Sequence, residues 1–291
     1  MNKFDIVIMG HISRDILIYK EEVEKAIGGP VTYSSMAAQR AGAKVLILTK
    51  GNKNDRDGLD LQKQNGIEVI FQECPTSTSI ENIYYTADRE TRDARLISEA
   101  DPFSLDDVPE LKTEVIYMGG LFRGEIPEAL IEPMSQRAKL GLDAQGLLRC
   151  SEEGKMVFRD WPNKKELLPY VTFFKTDAAE AKILTGLDDR YEAAKILNSW
   201  GAKEVMVTFN KEVIVCRDGE CFAAPLTPEN LSGRTGRGDT CFAAYIAWRL
   251  EHAVEESVRF SAALVSLKME TPGAFGKSVD DVMKKMEADA A

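Results

Sequence analysis

A glycine-rich segment directly before an apolar helix carries the clearest chemical signal in the chain. Residues 233–240 read GRTGRGDT, and the apolar run CFAAYIAWRLEHA follows them. Glycine allows positive φ angles and close backbone approach, so the loop amides and the positive end of the helix dipole can converge on one point. Such a point suits a phosphate, or the negative charge that develops during phosphoryl transfer. The segment therefore predicts an anion-binding site.

Two charged side chains of this segment have alternative interpretations. Asp239 could be a first-turn carboxylate that satisfies unpaired helix amides. It could instead be a general base that takes a proton from a substrate hydroxyl beside the anion. Arg237 lies between two glycines, where its guanidinium group could reach phosphate oxygens or remain a solvated loop charge.

Several other classes of site are disfavoured. The segment lacks the Lys-Ser/Thr ending of a P-loop. The first strand ends in MGHISRD, whose single glycine makes a dinucleotide-binding fingerprint weak. Five scattered cysteines without a CxxC pair favour buried thiols over a disulfide framework or a zinc site. Two histidines are too few for a histidine-based metal site or catalytic triad.

Strand and helix patterns alternate along the chain that must position these residues. FDIVIMG (4–10) and EVMVTFN (204–210) are typical of buried strands, whereas VTYSSMAAQRAG (31–42) is typical of a helix that ends at a glycine. The alternation predicts one α/β domain over residues 1–291, with a mostly parallel sheet and helices on both faces.

Two segments break this alternation. Residues 12–27 and 76–97 have strand-like patterns without an intervening helix. We predict that they form a small antiparallel flap over one end of the main sheet.

The overall charge and hydropathy exclude further classes. The chain has 291 residues and a net charge of −10, which argues against a nucleic-acid-binding protein. No run reaches the ~18 apolar residues of a membrane span, and the first residues predict a strand rather than a signal peptide. We therefore expect a cytoplasmic protein with no nucleic-acid or membrane partner.

The glycine-rich loop and its helix resemble the C-terminal signature of the ribokinase-like (PfkB) carbohydrate kinases, a DTxGAGD-type loop followed by a helix. Further segments agree with the family in order and spacing: MGHISRDIL (9–17), GGP (28–30), KTDAAEAKILTG (175–186), VMVTFN (205–210) and SAALVSLKMETPGA (261–274). The resemblance implies a ribokinase-like three-layer α/β/α sandwich. Its central sheet is mostly parallel, and a small antiparallel β lid is formed by residues 12–27 and 76–97.

The resemblance also implies a kinase that transfers the γ-phosphate of ATP, with Mg²⁺, to a hydroxyl of a sugar, polyol or sugar acid. Asp239 is then the base, and Glu180 positions Mg²⁺ through water. The implied anion hole consists of the amides of Gly236, Arg237 and Gly238. The implied nucleotide-binding residues are Asp177, Thr208, Thr235 and Gly236. The implied acceptor-binding residues are His11, Asp15, Gly28, Gly29 and Tyr33, with a hydrogen-bonded loop histidine as the alternative for His11.

The lid has two implied roles. It closes over the acceptor and excludes water, which limits wasteful ATP hydrolysis. By analogy with the family, an exposed sheet edge or face of the lid could also join two copies of the chain in a homodimer.

Some positions depart from the family pattern. Gly233 and Arg234 replace the Asp-Thr that opens the signature, which makes a monovalent-cation site doubtful. Arg237 replaces the usual alanine, and it could supply the positive charge of that cation. Asn210 replaces a customary glycine, and Tyr33 replaces the asparagine of ribokinase. The segment GRTGRGD (233–239), together with SIENIY (79–84) in the lid, resembles the inositol-kinase-like branch more than ribokinase or adenosine kinase.

Two alternatives stay open at this point. A nucleoside kinase of the same fold would need an aromatic or apolar slot for a base. A non-catalytic nucleotide- or sugar-binding regulatory protein could retain the fold, although Gly236, Gly238, Asp239 and Glu180 argue against it.

Overall fold

Two sheets account for all the strands of the described part of the chain. The computed structural model describes residues 3–86 and 92–290. The strands are β1 (Lys3–Met9), β2 (Ser13–Tyr19), β3 (Glu22–Gly28), β4 (Val45–Gly51), β5 (Glu68–Glu73), β6 (Ser79–Tyr84), β7 (Arg92–Ser98), β8 (Lys112–Met118), β9 (Lys139–Asp143), β10 (Arg149–Glu152), β11 (Lys155–Phe158), β12 (Phe173–Asp177), β13 (Glu204–Thr208), β14 (Glu212–Arg217) and β15 (Glu220–Pro225).

The helices connect and cover these strands. The α-helices are α1 (Pro30–Arg40), α2 (Asp60–Gln64), α3 (Ile131–Ser135), α4 (Gln145–Leu148), α5 (Lys164–Leu167), α6 (Ala178–Thr185), α7 (Arg190–Ser199), α8 (Arg237–Arg249), α9 (Val254–Met269) and α10 (Val279–Ala288). Short 3-10 helices span Lys53–Leu59, Leu105–Asp107, Glu128–Leu130 and Leu168–Tyr170. In the part of the chain that the structure describes, no helix combines the length and apolar character that a membrane crossing requires.

The central sheet has nine strands in the order β15-β14-β13-β12-β9-β8-β1-β4-β5. The seven strands from β13 to β5 run parallel, and the hairpin β14–β15 extends one edge antiparallel. Alternate residues of β1 enter different apolar clusters: Ile6 and Ile8 join one, and Val7 and Met9 join the other. Because side chains alternate between the faces of a strand, a core lies on each face of the sheet. The predicted parallel sheet with helices on both faces is present.

The lid is larger than predicted. Its six strands have the order β10-β11-β7-β6-β2-β3, so the hairpin β10–β11 is a lid element that we did not predict. The pair β2–β6 runs parallel, and the other four pairs of the lid run antiparallel. Part of the predicted segment, residues 87–91, lies outside the described residues.

The missed hairpin has weak sequence signals. Its strands contain four residues each, and its turn is Glu153-Gly154, with φ angles of 51° and 81°. Left-handed turns of this kind usually show Asn-Gly or Asp-Gly, and a glutamate at the first position does not stand out.

The cysteine prediction is wrong for one pair. Cys216 and Cys221 are register partners across the hairpin β14–β15, with Cα atoms 4.0 Å apart, and they form a disulfide. Residues directly opposite each other in a hairpin approach to within disulfide range, and spacing without the hairpin register did not reveal this.

The turn between β3 and α1 requires glycine for a measurable reason. Gly29 has a φ of +92°, and a Cβ atom there would lie 2.2 Å from the backbone oxygen of His11. We expect Gly29→Ala to lower the free energy of unfolding by about 3 kcal/mol or more, because it adds a backbone clash to an unfavourable φ. Urea unfolding followed by circular dichroism measures this change.

Gly42→Ala is the matched control. Gly42 has a φ of +96°, but its Cβ atom would meet nothing within 4 Å. It should therefore lose only about 1 kcal/mol, the cost of the left-handed conformation. Equal losses in the two variants would contradict the steric explanation.

Candidate active site

Strand register brings polar side chains together at the carboxyl edge of the central sheet. Lys175 on β12 is the partner of Asp143 at the end of β9. Asp177 at the end of β12 is the partner of Thr208 at the end of β13. Open α/β sheets bind ligands at this edge, so the strand pairing alone places these four side chains at a candidate site.

A buried ion cluster occupies the middle of this edge. The Lys175 Nζ atom lies 3.1 and 3.0 Å from the two carboxylate oxygens of Asp143, and 4.0 Å from Glu180 Oε2. All three side chains are buried. Burial alone would lower the pKa of Lys175, but the charges of Asp143 and Glu180 raise it above its usual value. Lys175 is therefore a permanent buried cation.

Asp177 and Glu180 form the capping box that begins α6. Asp177 Oδ1 accepts a hydrogen bond from the Glu180 amide, and Glu180 Oε2 accepts one from the Asp177 amide, both at 2.8 Å. This arrangement fixes both predicted residues at the edge of the sheet. Burial raises the pKa of the Glu180 carboxyl group.

The donor set at this edge fits Mg²⁺ held mainly by water and substrate. The described residues contain no group of three or more His, Cys, Asp or Glu side chains that could hold a metal ion. Mg²⁺ in kinases is commonly bound by one or two carboxylates, several waters and substrate phosphates. The position of Glu180 is compatible with the predicted role through water.

The segment of residues 233–238, called the anion loop below, turns into α8 at Gly236. Gly236 is the N-cap, with a left-handed φ of 75°, and the first helical amides have no acceptor within the helix. The Arg237 amide already donates to the Arg234 carbonyl oxygen at 3.2 Å. The predicted anion hole therefore relies more on the neighbouring amides than on that of Arg237.

Two side chains pack directly against the glycines of the anion loop. A Cβ atom at Gly236 would lie 2.2 Å from the Tyr33 ring, and one at Gly238 would lie 3.1 Å from Lys175 Nζ. The glycine requirement is therefore steric. The same contacts place a buried ammonium group and the tyrosine predicted to bind the acceptor beside the loop.

Asp239 follows the loop in the first turn of α8. Burial raises its pKa to about 7 and the charge of Asp143 adds to this effect, whereas Lys175 and Arg149 oppose it. A carboxyl group that titrates near neutral pH can act as a general base under physiological conditions. The environment thus favours the base interpretation of Asp239.

The predicted acceptor residues lie next to one another. A Cβ atom at Gly28 would meet Asp15 Oδ2 at 2.4 Å and Ser13 Oγ at 2.8 Å, so both side chains approach the backbone there. Burial raises the pKa of Tyr33, and the charges of Asp15 and Asp239 raise it further. The charges of Asp15, a predicted acceptor-binding residue, and of Asp239, the predicted base, therefore both act on Tyr33.

His11 is engaged by the protein itself. Its Nδ1 lies 2.9 Å from Thr78 Oγ1, its Nε2 lies 3.1 Å from the Asp101 carbonyl oxygen, and the side chain is fully buried. Burial lowers its pKa to about 4, so the ring is neutral. This geometry corresponds to the alternative of a hydrogen-bonded histidine, because neither ring nitrogen is available to an acceptor.

Glu125, which sequence reasoning missed, secures this region. Its carboxylate accepts hydrogen bonds from the amides of His11 at 2.6 Å and Leu121 at 2.7 Å, and burial raises its pKa to about 7. It ties the loop after β1 to the loop after β8.

The predicted nucleotide segments meet at Asn210. The Asn210 Oδ1 atom accepts hydrogen bonds from Arg237 Nη1 at 2.9 Å and from Arg234 Nη2 at 3.3 Å. Thr208, two residues earlier, is buried at the end of β13, and Thr235 is exposed in the anion loop. Two guanidinium groups therefore bridge the segments that contain Thr208 and Thr235.

Two buried lysines at the site were also missed. Lys175 lies in the apolar strand FFKTD and Lys268 in the apolar run ALVSLKM, and both are nearly inaccessible to solvent. Lysine is almost never fully buried unless it is paired. A lysine at a core position of an apolar pattern was therefore an available signal.

Comparisons with known proteins identify the family of this chain. The model of the pfkB family carbohydrate kinases matches residues 3–280, and the chain belongs to this family. A solved structure described as a pyrophosphate-dependent kinase in the ribokinase family, complexed with a pyrophosphate analog and myo-inositol, is 37% identical. The match covers 96% of this chain and 99% of that one, with a TM-score of 0.88.

Two more distant matches complete the comparison. A cytidine kinase of Thermococcus kodakarensis is 26% identical over 267 residues, which is 88% of this chain and 92% of that protein. Ribokinase of Arabidopsis thaliana, solved with ribose and ATP, is 18% identical over 98% of this chain and 99% of that one, with a TM-score of 0.78. The predicted ribokinase-like fold is confirmed. The protein is a phosphotransferase that acts on a hydroxyl acceptor.

The charge balance around Asp239 gives a testable pH dependence. Because the base must be ionised, kcat/KM should fall as the pH drops below about 7. Lys175→Met removes a cation that favours the carboxylate, so this acidic limb should move upward by about one pH unit.

Lys182→Met is the control for this shift. Lys182 lies on α6, is 57% exposed and pairs with Asp188. Its removal should leave the acidic limb at the wild-type pH. Identical pH profiles of kcat/KM for wild type and Lys175→Met would show that Lys175 does not tune the base.

Proposed function

We propose that this kinase uses inorganic pyrophosphate as its phosphate donor and a cyclic polyol of the inositol type as its acceptor. The donor assignment rests on Arg234 and Arg237, which bridge the predicted nucleotide-binding segments. ATP, which the family resemblance implies, is the competing donor.

Charge distinguishes the two donors. Pyrophosphate carries its whole charge on two phosphoryl groups and has no ribose or base to bind. It therefore needs cations close to the anion loop, and arginine suits phosphate because its planar guanidinium group can form two parallel hydrogen bonds. Arg234 and Arg237 converge on Asn210 beside the anion loop. In this proposal they bind the part of pyrophosphate that leaves as inorganic phosphate.

The side chain of Asn210 also affects the binding of a nucleotide beside the anion loop. Asn210 stands where the family commonly has glycine, and its side chain is held by both arginines. Side chains thus occupy a segment where the resemblance implies contacts to a nucleotide. The 37% identical structure is described as pyrophosphate-dependent and as complexed with myo-inositol, which supports both halves of the proposal.

The residues of the site can support the transfer as follows. Asp239 takes the proton of the acceptor hydroxyl, whose oxygen forms a bond to the terminal phosphorus of pyrophosphate. The bridging P–O bond breaks, and inorganic phosphate leaves. The amides at the start of α8 offset the charge on the transferred group. Mg²⁺, held through water near Glu180, would neutralise phosphate charge when bound.

The acceptor assignment has its own support. Asp15 and Ser13 approach Gly28. Tyr33 packs against Gly236, and the charges of Asp15 and Asp239 both raise its pKa. Carboxylate, hydroxyl and phenol groups match a ligand rich in hydroxyls, and the phenol group belongs to a ring that packs against the anion loop.

The direct test compares the two donors. Formation of phosphorylated product from myo-inositol, followed by chromatography, should be faster with pyrophosphate and Mg²⁺ than with ATP and Mg²⁺. Ribose and cytidine serve as competing acceptors. Faster turnover with ATP would contradict the donor assignment, and faster turnover of ribose or cytidine would contradict the acceptor assignment.

Single substitutions test the arginine bridge. Arg234→Met and Arg237→Met should each raise the KM for pyrophosphate about tenfold or more, since each removes a charge-assisted hydrogen bond to phosphate. Arg190→Met is the control, because Arg190 pairs with Glu212 and packs over Phe209. Unchanged KM values in both anion-loop variants would overturn the assignment.

A further inference from the structure

Lys268 lies at the end of α9, where that helix meets the start of the anion loop. Its ammonium group donates a hydrogen bond to the carbonyl oxygen of Gly233. The Gly233 amide in turn donates to the Met269 carbonyl oxygen at 2.7 Å. A Cβ atom at Gly233 would lie 1.9 Å from the Thr271 carbonyl oxygen, so the loop packs tightly on the end of this helix. Lys268 is therefore fixed beside the loop.

The ammonium group of Lys268 has more N–H donors than the described residues provide acceptors for. A lysine ammonium carries three N–H donors, and among the described residues Gly233 supplies the one hydrogen-bond acceptor for that of Lys268. Its nitrogen also lies 5.5 Å from the centre of the Tyr33 ring. The side chain is only 2% exposed, so water offers little replacement. A buried cation without a carboxylate partner is costly unless a ligand completes it.

Lys175 provides the contrast within the same site. Its ammonium group contacts both oxygens of Asp143 and approaches Glu180, so its charge is neutralised by the protein. For Lys268, burial lowers the pKa to about 8, and the charge of Asp239 opposes this only in part. The titratable groups that face it are Tyr33 on α1 and Asp239 on α8.

We propose that Lys268 is a donor-binding residue whose ammonium group binds an oxygen of the phosphate donor at the anion loop. The inference rests on the proposed function for the identity of that donor, pyrophosphate. Lys268 lies near Tyr33 and Asp239, whereas Arg234 and Arg237 converge on Asn210. The donor thus meets one cation near the acceptor side and two near the sheet edge.

A pH-dependent binding measurement tests this role. Calorimetry would measure the affinity of wild type, Lys268→Met and Lys268→Arg for pyrophosphate from pH 6.5 to 9.5, without acceptor. At pH 7, Lys268→Met should bind about tenfold or more weakly. The ratio of wild-type to variant affinity should shrink above about pH 8, because the wild-type lysine loses its proton there. This ratio does not depend on the protonation of free pyrophosphate, because that protonation changes both affinities by the same factor.

Lys268→Arg keeps the charge at every pH and guards against a variant that does not fold. It should bind pyrophosphate at pH 7 within a few-fold of wild type, and its affinity relative to wild type should rise above about pH 8. Lys203→Met, at an exposed lysine, should match wild type throughout. Equal affinity of wild type and Lys268→Met at pH 7, or a ratio that does not change with pH, would overturn the inference.

The same calorimetry with ATP in place of pyrophosphate distinguishes failure of this inference from failure of the proposed function. If wild type binds ATP but not pyrophosphate, the donor assignment fails. Lys268 would then keep its role only if Lys268→Met loses affinity for ATP with the same pH dependence. If wild type binds pyrophosphate and Lys268→Met binds it equally well, the donor assignment stands and the role of Lys268 fails.

Discussion

The buried ion pair between Lys175 and Asp143 is the interaction on which the rest of the site depends. An unpaired charge in a protein interior is costly, and the register of β9 and β12 pairs these two charges before any ligand is present. The same ammonium group lies against Gly238, so the pair also supports the loop that we propose binds the phosphate donor. One structural constraint therefore fixes both the cation and the backbone amides of the site.

The cations of the site have different roles. Lys175 is neutralised by carboxylates of the protein and shapes the environment of Asp239. Arg234 and Arg237 converge on one amide oxygen at the edge of the sheet. Within the described residues, Lys268 has a single hydrogen-bond acceptor, the Gly233 carbonyl oxygen. The ammonium group of Lys268 therefore keeps N–H donors that suit a small, highly charged phosphate donor.

Much of this arrangement could be predicted from the sequence, because local patterns encode it. The segment of residues 233–240 combines glycines, an acid and a following apolar helix, and the structure places a left-handed Gly236 at that helix start. Other features depend on contacts far apart in the chain. The lid hairpin β10–β11, the disulfide between Cys216 and Cys221, and the engagement of both His11 nitrogens all follow from strand register and tertiary packing, which the spacing of residues does not reveal.

The most direct test of the site is the turnover of Asp239→Asn beside its binding of pyrophosphate. We expect turnover to fall by about a hundredfold or more, as for the loss of a general base, while pyrophosphate still binds, because the anion loop and its cations remain. Asp188→Asn, at an 83% exposed aspartate on the surface, should keep wild-type turnover. Near wild-type turnover of Asp239→Asn would contradict the assignment of the base, and with it the view that acceptor and donor meet at the start of α8.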